Sequence, residues 1–149
     1  MALGRTDAAA GHYQAARECF DALGVQHLAL EAIAGLVQVA LARGELGEAL
    51  AETEFILARL SAGATLEGLD EPLRVRLTCY QALAAAADPR ATGLLAQAHA
   101  ELQAQARQIS DPRWRESLLH NVPYHREIIT TWQRLGHGGI HLPATSTMR

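Results

Sequence analysis

Three observations predict an all-α chain. Ala and Leu, which lead the helix scale, supply 29 and 22 of the 149 residues. Val and Ile number only five and six, too few to furnish a set of half-buried strands. Apolar residues recur at three- and four-residue spacing through most of the chain, and Gly, Pro and Asp break that pattern at short intervals.

From the N-terminus, the first long apolar pattern runs from Leu28 to Ala42, with Ile33, Val37, Ala40 and Leu41 at helical period. Arg43-Gly44 separates it from a second helix. There Leu46, Ala49, Leu50, Thr53, Ile56, Leu57 and Leu60 share one face, and Glu45, Glu48, Glu52, Glu54 and Arg59 lie largely off it. Residues 61–69 hold two glycines and no period, which predicts a loop. Asp70-Glu71-Pro72 opens the next helix, with Leu73, Leu77, Tyr80 and Ala84 on its inner side. Asp88-Pro89 and Asp111-Pro112 are start signals of one kind, an acidic cap followed by Pro at the first helical position. Between them Leu95, Ala98, Leu102, Ala106 and Ile109 form a five-turn stripe. Trp114 is placed to pack back on that helix. A last helix starts near Pro123, with Tyr124, Ile128, Trp132 and Leu135 inward. Leu50, Leu57, Leu77, Leu95, Leu102 and Ile128 are therefore expected to be enclosed. Short links between long helices imply antiparallel neighbours, so residues 1–135 read as one helical domain and 136–149 as a flexible, Gly-rich tail.

Composition excludes several kinds of work. All 13 basic residues are Arg, so no P-loop, Schiff-base or general-base lysine exists. Residues 1–71 carry 11 acids and 4 Arg (−7), and residues 72–149 carry 5 acids and 9 Arg (+4), which sum to the net −3. Scattered Arg in a net acidic chain argues against nucleic acid. Cys19 and Cys79 form no ligand or disulfide pattern, and no signal-like or membrane-length apolar run is present, so a reducing cytoplasm is expected. His120 and His125 are five apart across Pro123 and cannot share a helical face as metal ligands; His99 stands alone, and His137 and His141 lie in the tail. There is no nucleophile elbow, and Cys19 beside Phe20 is expected on a packed face, where a thiol is inert. No catalytic residue, cofactor or metal is therefore predicted, and the chain is not expected to be an enzyme.

A shift of 33 residues brings Leu3 onto Leu36, Ala9 onto Ala42, Gly11 onto Gly44 and Ala16 onto Ala49. Leu3-Gly4 followed by Ala16-x₃-Phe20, with Gly11-His12-Tyr13 between, resembles the tetratricopeptide (TPR) family, a helix–turn–helix repeat of about 34 residues. The second copy keeps Leu36, Gly44 and Ala49 but has Val37 and Thr53 where the family has Gly and Phe, and neither copy has the closing Pro. A third unit spans about 71–109. The resemblance implies a right-handed stack of antiparallel hairpins closed by two C-terminal capping helices. It also implies a turn at Gly11-His12-Tyr13, and close helix approach at Gly4, Ala16 and Ala49. Residues 88–129, most specifically Ile109-Ser110-Asp111 and Asn121-Val122-Pro123, resemble the end of the helical-repeat region in large bacterial multidomain signalling proteins of the ATPase/cyclase type. The upstream modules of those proteins have no counterpart here, so their chemistry is not carried over.

In the TPR family the first helix of each hairpin lines a concave partner-binding surface. Mapped on the Leu36 frame, that surface would present Glu31, Ala34 and Gln38, and in the third unit Arg74, Thr78 and Gln81. The expectation is a scaffold module that binds a protein or peptide, as in the tail of a signalling protein, without nucleic acid or membrane. The carboxylate clamp of chaperone-binding members depends on Lys, which this chain lacks, so chaperone-tail binding is disfavoured. The alternative is a structural module that self-associates, with a homodimer through the N-terminal hairpin, residues 1–30, where Ala8, Ala9 and Ala10 carry no charge to discourage contact.

Overall fold

A computed structural model describes residues 2–69 and 71–136. Among them the chain is all helical, with seven α-helices and no strand. They are α1 (Ala2–Leu23), α2 (Gln26–Ala42), α3 (Leu46–Ser61), α4 (Pro72–Ala85), α5 (Arg90–Arg107), α6 (Pro112–His120) and α7 (Pro123–Arg134). The chain divides into two compact units, Met1–Thr92 and Gly93–Arg149.

In the first unit, α1 runs unbroken through Gly11, His12 and Tyr13, so the turn implied there by the TPR frame is not made. The chain turns instead at Gly24, and α1, α2, α3 and α4 all end by one device. A left-handed residue (Gly24 at φ +75°, Gly44 at +74°, Gly63 at +107°, Ala87 at +54°) lets the next N–H reach back five residues. These bonds are Val25 to Phe20 O (2.9 Å), Glu45 to Ala40 O (2.8 Å), Ala64 to Arg59 O (3.0 Å) and Asp88 to Leu83 O (2.9 Å). Gly is the residue that enters this region without a Cβ clash; Ala87 does so as a strained exception. The helix ends thus fall 20, 19 and 24 residues apart (24 to 44, 44 to 63, 63 to 87), not on the 33-residue shift.

Helix α2 is the centre of this unit, lying against α1, α3 and α4. Its Ala29, Leu30, Ile33 and Val37 are fully enclosed, and Ala32, Ala34, Gly35, Val39 and Ala40 are buried too. The close approach expected at Gly4 is absent, since a Cβ there would meet nothing within 4 Å. It occurs at Gly35, where a Cβ would stand 2.4 Å from the Tyr13 ring. Ala49 is fully buried as expected, together with Thr53 and Ile56, while Leu50 and Leu57 flank that line and are half-buried. On α4, Leu73 and Leu77 are enclosed, but Ala84 is exposed and Val75, Thr78, Cys79, Ala82 and Leu83 are buried in its place. Polar ties hold α1 to its neighbours. Arg17 grips Glu52 through Nη1 at 3.0 and 3.1 Å, its guanidinium lies 4.8 Å from the Phe55 ring, and Arg59 lies 4.5 Å from the same ring. Arg43 pairs with Asp7 and donates to Thr6 Oγ1 at 3.3 Å. The 62–71 connection is anchored by buried Leu66 and Leu69, and Asp70 lies outside the described residues.

In the second unit, Leu95, Ala98, Leu102 and Ala106 of α5 are buried, but Ile109 falls beyond the helix end and is half-exposed. Asp111 caps α6 as its sequence position predicts, accepting from Arg113 N at 2.9 Å. Arg115 reaches back to cap α5, donating to the Ile109 carbonyl at 2.6 Å and the Ala106 carbonyl at 3.2 Å. Helix α6 has no buried residue, and Trp114 is 66% exposed where core packing was expected. Arg115 takes the place next to the preceding helix end that Trp114 was expected to fill. On α7, Ile128 is enclosed and Ile129, Thr131 and His125 are buried; Tyr124 is half-buried and Leu135, past the last turn, is 46% exposed. Residues 137–149, the tail with His137 and His141, lie outside the described residues.

Candidate functional site

The six residues expected on a concave surface all come to one seam, between α2 and α4. On each helix they are spaced three, four and seven apart, so each set holds one face. The seam has two halves of different chemistry. At one end Gln38 Nε2 donates to both Thr78 Oγ1 and Gln81 Oε1, each at 2.8 Å. Gln38 thus ties both acceptors to α2, and Thr78, 1% exposed, presents nothing to a partner. Ala34, 5% exposed, is likewise packed and not presented. Small and short side chains are what let α2 and α4 approach here, and close approach is what buries them.

At the other end the seam opens. Glu31, Ala34 and Arg74 line a cavity of about 160 Å³ whose remaining walls include Tyr13, Phe20, Leu28 and Val75. Tyr13 and Phe20 are two turns apart on α1 and present the same face to α2, so three helices contribute to the wall. Arg74 is the cationic group there. Burial works against its charge, but the Tyr13 hydroxyl and the Glu71 carboxylate, 3.3 Å away, more than offset this and raise its pKa. Arg74 therefore stays protonated at any working pH while half its side chain faces water.

Sequence reasoning placed Glu31, Ala34 and Arg74 at this site but missed its α1 wall. The TPR frame put a turn at Tyr13, which removed α1 from consideration. The seven-residue spacing of Tyr13 and Phe20 was the available signal for a single face.

The remaining chemically capable groups are engaged otherwise. Burial pushes the Cys79 thiol up to about 12, which leaves it protonated and unreactive. Cys19 is exposed on α1, not on a packed face. His99 stacks on Trp132 with ring centroids 4.6 Å apart, and His125 Nδ1 lies 2.8 Å from the Leu118 carbonyl, so each serves packing in the second unit. Among the described residues no group of three or more His, Cys, Asp or Glu is placed to hold a metal ion. No described helix is long and apolar enough to cross a membrane. Thr53 Oγ1 is fully buried without a hydrogen-bond partner, where the TPR frame would have a Phe.

Comparison of the chain with protein-family models, with curated proteins and with solved structures finds no match in any of the three.

Proposed function

We propose that this chain is a TPR-like helical interaction module that captures an apolar side chain of a protein or peptide partner in the α1–α2–α4 cavity, without catalysis. One observation carries the reading: a half-open, largely apolar cavity formed by three helices, with a permanently charged guanidinium at its edge. Recognition sites are commonly concave and apolar with a few fixed polar groups. The order of packing, α2 against α3 and α4 and α3 against α4, supports a stack of consecutive hairpins, with α2–α3 as one hairpin and α1 preceding it. The right-handed solenoid and the role as a signalling tail belong to this proposal. Arg90, bonded to Asp88 and Glu54, stabilises the entry to α5 and lies outside the proposed site.

Ala16 lines the cavity from α1 and is half-exposed, so Ala16→Phe would fill it from the open side. Peptides enriched from a displayed random library should contain a shared Leu, Ile or Phe. Calorimetry should show Ala16→Phe weakening them by about tenfold or more while the unfolding midpoint does not fall. Equal affinity of both proteins for the enriched peptides, or no enrichment, would overturn the proposal.

A further inference from the structure

We infer that the occupant of the cavity is Leu23 of a second copy of this chain, exchanged between the two copies. This rests on the cavity reading just proposed and names its partner. On α1, Tyr13, Ala16, Phe20 and Leu23 are spaced three, four and three apart, so they share one line of the helix. The first three line the cavity. Leu23 continues the line past it and, at 68%, is the most exposed large apolar side chain among the described residues.

One line of one helix thus carries both a knob and a hole. Ala16 and Leu23 lie seven residues apart, about 10 Å along the helix axis. A two-fold axis crossing α1 near Phe20 sets two copies of the helix antiparallel and brings each Leu23 to the other copy's cavity at once. Such a contact is isologous, so it closes at a dimer. The sizes agree: about 160 Å³ is close to the roughly 150 Å³ apolar cavity that holds a benzene ring, so a leucyl group fits. The other exposed large apolar side chains, Trp114 and Leu135, share no helix with the cavity, so a pair built on either needs two separate contact areas.

Area sets the strength. Residues 13–28 offer roughly ten contact residues a side, against about 20–30 in a standard interface. In proportion the pair buries about 600 Å² in total, where a stable dimer buries roughly 1,200–2,000 Å². The dimer is therefore weak and exchanges with monomer. Glu18 and Asp21 are exposed beside the line in both copies, a like-charge cost that salt screens.

The test is sedimentation of the full chain at about 0.15 M salt, from low micromolar to near-millimolar concentration. The average mass should climb toward that of two chains. Leu23→Ser, which removes the knob from an exposed position, should weaken association by at least about tenfold while circular dichroism shows the helices retained. Ala16→Phe, which fills the hole, should do the same. A mixture of the two variants should associate more than either alone, because one knob and one hole remain to meet. Leu-bearing peptides enriched on the parent chain should bind Leu23→Ser at least as tightly. Undiminished dimerisation of both variants would overturn the inference, as would a mixture no more associated than its components. A parent chain that stays monomeric throughout yet binds the peptides would overturn it and leave the cavity reading standing. Absence of both self-association and peptide binding would overturn both.

Discussion

Helices α2 and α6 lie in different units and illustrate opposite fates for apolar sequence. Over its 17 residues α2 has one charged side chain, Glu31, and it is buried on several sides because α1, α3 and α4 all pack on it. Helix α6 has three charged residues in nine, contacts α7, and buries nothing, although it contains Trp114, Leu118 and Leu119. What separates them is how fully the apolar side chains of each are covered. Periodicity reports which side of a helix is apolar; how many helices come to cover it is decided by topology.

The largest expected effect lies in α2. Ile33→Ala should lower unfolding free energy by about 2–5 kcal/mol in urea titration, since the side chain is fully enclosed and its neighbours cannot collapse into the space. A loss below about 1 kcal/mol would show that α2 is not the packing centre. On the adjoining α3, Thr53→Val should raise stability by about 1 kcal/mol, because it removes a buried hydroxyl that has no partner while keeping the shape. An unchanged or lower midpoint would mean that the hydroxyl is satisfied in solution.

Helix α6 depends on its cap instead of a core. The hydrogen bonds from Arg113, side chain and backbone, hold the Asp111 carboxyl below its ordinary value. A depressed folded pKa adds stability above the ordinary carboxylate pKa, and that stability is lost as pH falls through the folded value. Asp111→Ala should therefore lower the thermal midpoint at pH 7, and its difference from the parent protein should shrink below about pH 4. A difference constant across that range would show that the carboxylate charge is not what caps α6. Smallest of all, Trp114→Ala should change stability by no more than about 0.5 kcal/mol, despite the size of the side chain, because two thirds of it already faces water. Fluorescence quenching by iodide should likewise be stronger for Trp114 than for Trp132, which is partly covered by His99.

Helix ends were the most legible part of the fold. Arg43-Gly44, Asp88-Pro89 and Asp111-Pro112 act through local backbone chemistry, so each marks a boundary whatever surrounds it. Faces were legible at Leu95, Ala98, Leu102 and Ile128, which are enclosed as their spacing predicts. They were misread at Ala84, Ile109 and Leu135, which continue a period past the point where packing or the helix itself stops. Trp114 was misplaced because hydrophobicity says nothing of whether an arginine competes for the same contact. In the candidate site the α2 and α4 residues were legible as a set. Their division into a packed end (Gln38, Thr78, Gln81) and an end that borders the cavity (Glu31, Arg74) was not, because it depends on side chains meeting across helices.

The contact between Gly35 and Tyr13 ties the fate of two positions together. Tyr13 fills the space a Cβ at 35 would need, forms part of the cavity wall, and favours the charge on Arg74. A change at 35 to Ala must push that ring, and with it the wall and the guanidinium. A change at 13 to a smaller residue would free room at 35 while releasing Arg74. Substitutions at these two sites are therefore not independent: Gly35→Ala should be tolerated far better beside Tyr13→Leu than alone, and the paired variant should keep its helices yet lose its hold on the charge at the rim.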